Sequence, residues 1–88
     1  MKISDKKREK IFEQILFFLY SKFPKPMFTS HIAQEIARDE DFVKRLLKDL
    51  AKKQLVSEIK KNPLGIDYLK RTRWKLREEV YQKYKIHQ

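Results

Sequence analysis

An 88-residue chain with 22 lysines and arginines against 12 aspartates and glutamates carries a formal net charge of +10, which favours an anionic partner. That length holds one small domain, and 41% hydrophobic with 12% aromatic residues is too apolar for a disordered basic tail. With no cysteine, a disulfide framework, a thiolate zinc site and a thiol nucleophile are excluded, and a cytoplasmic setting is expected.

The longest apolar run, Ile15 to Tyr20, has six residues, against the ~20 of a membrane-spanning helix. The first residues lead into a charged helical pattern instead of a signal-peptide core, so an unexported protein without a membrane partner is expected. The single glycine, Gly65, follows Asn62, Pro63 and Leu64. That tetrapeptide reads as a turn, which argues against a glycine-cradled phosphate site.

A first helix is expected over about residues 5–22, capped by Ser4 or Asp5. Ile11, Phe12, Ile15, Leu16, Phe18 and Leu19 recur at three- and four-residue spacing on one broad face, and Pro24 and Pro26 end the pattern. Thr29 or Ser30 supplies a cap for a second helix over about residues 30–37, with Ile32, Ala33, Ile36 and Ala37 at i, i+1, i+4 and i+5. Asp39 can cap a third over about residues 40–53, with Glu40 and Asp41 in its positively polarised first turn. Val43, Leu46, Leu47 and Leu50 form its apolar stripe.

From Leu55 the period changes to two. A hairpin is expected over about residues 55–76, its first strand from Leu55 to Ile59 and its second from Tyr68 to Leu76. Tyr68, Lys70, Thr72, Trp74 and Leu76 share one face of the second strand; Leu69, Arg71, Arg73, Lys75 and Arg77 share the other. A last helix over about residues 77–87 sets Val80, Tyr81 and Tyr84 at helical spacing. The expected class is mainly α with a small β-hairpin (α+β), in the order α-α-α-β-β-α, as one domain over residues 1–88.

Three helices followed by a basic hairpin resemble a winged helix-turn-helix domain. Ile32 and Ala33 occupy the Ile-Ala position of that family's second helix. Val43, Leu47, Leu50, Leu55 and Val56 match its spacing through the recognition helix into the first wing strand, and Trp74, Lys75 and Leu76 match the end of the second. The resemblance covers about residues 28–79 and implies a relative of small prokaryotic, archaeal or viral transcription regulators. Three positions depart from the pattern: Gln54 where glycine commonly closes the recognition helix, Arg38 in place of an apolar turn residue, and the acids Glu40 and Asp41 at the start of that helix.

At 100° per residue, Lys44, Arg45, Lys48 and Lys52 fall on one arc of the third helix, opposite Val43, Leu47 and Leu50. A cationic ridge opposite a core is what major-groove entry requires. Arg45 suits bidentate contact with guanine, and the lysines suit phosphates. Asp41 could accept from a cytosine amino group, but favourable placement at the helix N-terminus is the simpler role. The hairpin is more basic still: seven cations, Lys60, Lys61, Lys70, Arg71, Arg73, Lys75 and Arg77, stand against the one acid Asp67 between residues 60 and 77. A cationic column can grip a backbone or guard an exposed strand edge, and its density favours gripping.

On the first helix, Phe17 projects about 100° beyond the core-facing arc, with Tyr20 between. Either the last helix covers it through Val80, Tyr81 and Tyr84, or a second subunit does, which makes Phe17, Tyr20, Tyr81 and Tyr84 the candidate interface of a homodimer. His31 and His87 have no ligand or triad partner at recognisable spacing, and the run Asp39 to Asp41 reads as a helix cap. Neither a catalytic group nor a metal or cofactor site is expected. Three functions remain: sequence-specific binding of double-stranded DNA by a transcription regulator, binding of RNA or the ribosome, and protein interaction within a nucleic-acid-processing assembly.

Overall fold

Burial of the expected stripes governs the architecture of the computed structural model, which describes residues 5–60 and 72–86. Among these, the elements run α1 (Asp5–Lys22), β1 (Met27–Phe28), α2 (Thr29–Glu35), α3 (Glu40–Lys52), β2 (Val56–Ile59), β3 (Arg73–Leu76) and α4 (Glu78–Ile86). The expected order of helices and hairpin is therefore present, with one short strand added. The expected turn at Gly65 and the expected strand positions from Tyr68 to Arg71 lie outside the described residues.

Ile11, Phe12, Ile15, Leu16 and Leu19 of α1 are buried, as are Val43, Leu46, Leu47 and Leu50 of α3. They join Ile32 and Ala33 of α2, Val56 of β2, Trp74 and Leu76 of β3 and Val80 of α4 in one continuous core. Removing these side chains from water supplies the main favourable free energy of the fold, on the order of 1.5–3 kcal/mol for each large aliphatic or aromatic one. The two-residue alternation of β3 holds: Trp74 and Leu76 are buried while Arg73 and Lys75 stay partly exposed.

The sheet is antiparallel in the order β1-β3-β2. Met27 and Glu58 flank Trp74, and Phe28 and Ile59 flank Arg73. Because opposite residues share a face, Glu58 stands on the Trp74 side and Phe28 on the Arg73 side. The third strand lies in the connection after Pro26, a stretch with no strand signal of its own.

Helix ends bring further corrections. Asp39 caps α3 as expected, its carboxylate accepting from the Phe42 N–H at 3.0 Å. At α2 neither Thr29 nor Ser30 is the cap: Phe28 holds that position in extended geometry without a side-chain bond. Thr29 turns inward instead, where the Trp74 indole N–H donates to its hydroxyl at 2.7 Å in a buried contact. Helix α2 also ends at Glu35, and Ala37 lies beyond it with φ of 56°. The Arg38 N–H reaches back to the Ala33 carbonyl at 3.0 Å. Gln54 plays the same part after α3, with φ of 62°, and the Leu55 N–H bonds the Leu50 carbonyl at 3.0 Å. Both closures are the six-to-one bond of a left-handed helix stop, made here without glycine.

Candidate nucleic-acid interface

Helix α3 positions the first group of nominated residues. Its core stripe locks one side against α1, α2 and the sheet, which leaves Lys44, Arg45, Lys48 and Lys52 exposed on the other. Lys44, Arg45 and Lys48 line an open hollow together with Asp39 and Asp41. The acids lie at the start of the helix, where the orphan N–H groups stabilise negative charge, so the ridge becomes more cationic toward its C-terminal end. The side of α3 next to the ridge is tied down: Asp49 pairs with Arg8 of α1, and Arg8 and Lys53 both sit over the Phe12 ring, 5.4 and 4.9 Å from its centroid.

Strand β3 positions the second group. Arg73 and Lys75 point to the face away from Trp74 and Leu76, which leaves both partly exposed. Arg73 is not an isolated cation, since its guanidinium lies 5.8 Å from the centroid of the Phe28 ring. Phe28 in turn meets His31 of α2 edge-on, ring centroids 5.6 Å apart. This aromatic and basic cluster depends on β1. Sequence reasoning misses it because two residues carry no period, and only the pairing of Phe28 with Arg73 brings it together. Lys61, Lys70 and Arg71 lie outside the described residues.

The ridge of α3 meets the first strand of the hairpin at Glu58. Lys48 Nζ of α3 lies 2.8 Å from one carboxylate oxygen, and Lys60 Nζ lies 3.5 Å from the other. The Glu58 side chain is only 19% exposed, against 45% for Lys48. Burial pushes the Glu58 carboxyl upward, but the ammonium groups of Lys48 and Lys60 outweigh it and hold the carboxyl below its ordinary value. A sequence signal for this contact exists: Glu58 has the same parity in β2 as the buried Val56, so a helix on that side can reach it.

The nominated interface residues of α1 and α4 separate into two sets. Tyr20 packs against Tyr81 and Tyr84 of the same chain, ring centroids 5.2 and 5.8 Å apart, and Phe23 stacks on Tyr81 at 4.0 Å. Burial, with the Glu13 carboxylate adding to it, raises the Tyr84 hydroxyl above its ordinary value. Phe17 is left out of this cluster and is 66% exposed, at the side of a groove it shares with Gln14, Phe18, Ser21, Glu35 and Ile36. Among the described residues no helix is long and apolar enough to cross a membrane, and no three acidic or histidine side chains converge to hold a metal ion.

No protein-family model and no curated protein matches this sequence. Solved structures do. MepR of S. aureus in its DNA-binding conformation superposes with a TM-score of 0.66 at 18% identity, over 97% of this chain and 56% of that one. ZitR of Lactococcus lactis, a mutant in apo form, gives 0.64 at 17% identity over 93% of this chain and 59% of its own. A mutant of S. aureus MepR bound to an oligodeoxyribonucleotide gives 0.61 at 18% identity over 93% and 67%. The chain thus spans 56% to 67% of the structures it resembles. They are winged-helix regulators, and this chain has the winged-helix fold.

Proposed function

We propose that this winged-helix chain is a cytoplasmic transcription regulator that binds double-stranded DNA, with α3 entering the major groove and the basic hairpin gripping the backbone. The observation that carries the proposal is the ridge of Lys44, Arg45, Lys48 and Lys52, exposed opposite the buried stripe of α3. Phosphates line both edges of a major groove, so such a ridge is drawn in by charge while its core side stays anchored to the protein. Arg45 reads guanine through its planar fork; the lysines, Arg73 and Lys75 fix register on phosphates. In this reading Lys60, Lys61, Lys70 and Arg71 extend the grip along the hairpin. A neighbour that carries an oligodeoxyribonucleotide supports DNA as the polyanion.

A second copy of the chain covers Phe17 in this proposal. Tyr20, Tyr81 and Tyr84 already pack together within the chain, which leaves Phe17, of these four, the exposed one in want of a partner. A two-fold dimer would present two α3 helices to a symmetric site.

Competition anisotropy with duplex DNA, single-stranded RNA and structured RNA tests the choice of polyanion. Duplex DNA is expected to compete best, with Arg45→Ala relaxing sequence preference and Arg73→Ala weakening all duplexes alike. Stronger competition by either RNA would replace DNA with RNA as the partner. Failure of all three would leave the protein-interaction role.

A further inference from the structure

Lys48 and Lys60 are two of the cations nominated for phosphate, and both already face a carboxylate of their own chain. Glu58 lies 2.8 Å from one ammonium and 3.5 Å from the other. It stands beside Trp74 in the sheet, on the face that looks toward α3. A free surface carboxylate could swing away from an arriving phosphate at no cost. Glu58 has little room to do so, because its side chain is largely covered.

We infer that Glu58 is an internal counter-anion of the DNA-binding surface, a specificity-determining residue that withholds Lys48 and Lys60 from DNA lacking the preferred sequence. The inference rests on the proposed DNA-binding function and deepens it. A lysine that must leave a carboxylate to meet a phosphate gains little, since it trades one anion for another. The vacated carboxylate must also take up a cation from solution, which cancels the counterion that the phosphate releases. A random duplex offers only that exchange. A duplex whose bases also engage Arg45 is held by those contacts without drawing Lys48 and Lys60 off Glu58, so the ratio of specific to non-specific affinity rises.

A carboxylate that merely braces α3 against β2 would predict something different. Its removal would leave the electrostatics of DNA binding unchanged, whatever it did to thermal stability. The inference predicts a gain of binding on removal of a charge that touches no DNA.

The test compares the wild-type protein with Glu58→Gln on a random-sequence duplex at several salt concentrations. Each lysine set free steepens the log-log salt slope by about 0.9 and strengthens non-specific binding roughly five-fold near physiological salt. For Glu58→Gln the expected result is a slope steeper by about 1 to 2, and a smaller gain on a preferred site than on random DNA. Unchanged or weaker binding at an unchanged slope would overturn the inference while leaving the DNA-binding function intact. If neither protein binds duplex, the proposed function and this assignment fall together.

A second comparison does not depend on how Glu58→Gln folds. In the otherwise wild-type chain, Lys48→Gln is expected to cost less non-specific affinity than Lys44→Gln, because Lys48 is already neutralised. A Lys48→Gln loss equal to or larger than that of Lys44→Gln would count against the inference.

Discussion

The indole N–H of Trp74 donates to the hydroxyl of Thr29 across 2.7 Å in the interior, joining the central strand of the sheet to the first residue of α2. Thr29 is 6% exposed and Trp74 has no exposed surface, so water cannot substitute for either partner. The backbone N–H of Thr29 also bonds the Thr72 carbonyl at 3.3 Å. One threonine thus fixes where α2 begins relative to β3. Thr29→Val keeps the shape and removes the acceptor, stranding a buried donor at a cost of about 1–3 kcal/mol. Thr29→Ser keeps the hydroxyl and should be less damaging. Urea unfolding of the two variants checks this, and a Val variant as stable as the Ser variant would show that the bond contributes nothing.

Gln54 takes the left-handed conformation at the end of α3, with φ of 62°, and a side chain with a Cβ is strained there. Gln54→Gly should stabilise the fold by about 0.5–1 kcal/mol, because relief of that strain exceeds the added freedom of the unfolded chain. For a domain of this size that raises the melting temperature by about 2–8 °C. Gln54→Val should lower it. Differential scanning calorimetry separates the two, and a melting temperature that falls in the Gly variant would contradict the account of the helix end.

The Glu58 carboxyl is held below its ordinary value of 4.5, which fixes the sign of its pH dependence. Its pairing with Lys48 and Lys60 stabilises the folded state fully above the unfolded value, and that contribution disappears as pH falls through the lower folded value. The stability difference between the wild type and Glu58→Gln should therefore be constant between about pH 6 and 7 and shrink below about pH 4.5. Urea midpoints at a series of pH values check this. A difference that persists unchanged to about pH 3 would show that the paired charge is not its source.

Phe17 should be silent in the monomer and audible in the assembly. At 66% exposure it contributes little to the core, so Phe17→Glu should change monomer stability by less than about 0.5 kcal/mol. In sedimentation equilibrium the wild type is expected at twice the chain mass and Phe17→Glu at the chain mass. A wild-type monomer at micromolar concentration would remove the proposed dimer.

The parts of this molecule visible in its sequence are those governed by local period. The stripe of Val43, Leu46, Leu47 and Leu50, the cap at Asp39 and the alternation of Trp74 with its neighbours all follow from contacts within a few residues. The pattern extends α2 too far because nothing about an alanine announces a positive φ, and Ala37 adopts one. Thr29 reads as a cap because a hydroxyl before a helix usually is one; its partner Trp74 lies 45 residues away. The cationic ridge of α3 is legible for the same reason as its core stripe. The neutralisation of Lys48 is legible only by half: the parity of Glu58 with Val56 sets it on the covered face, but that Lys48 is its partner depends on the packing of α3 on β2.

The most direct test of the central claim is the salt dependence of duplex DNA binding by the wild-type protein, followed by fluorescence anisotropy. A ridge and hairpin that together meet ~4 to 6 phosphates should give a log-log slope of about −4 to −5. A flat slope, or tighter binding to RNA than to duplex DNA at the same salt, would contradict it.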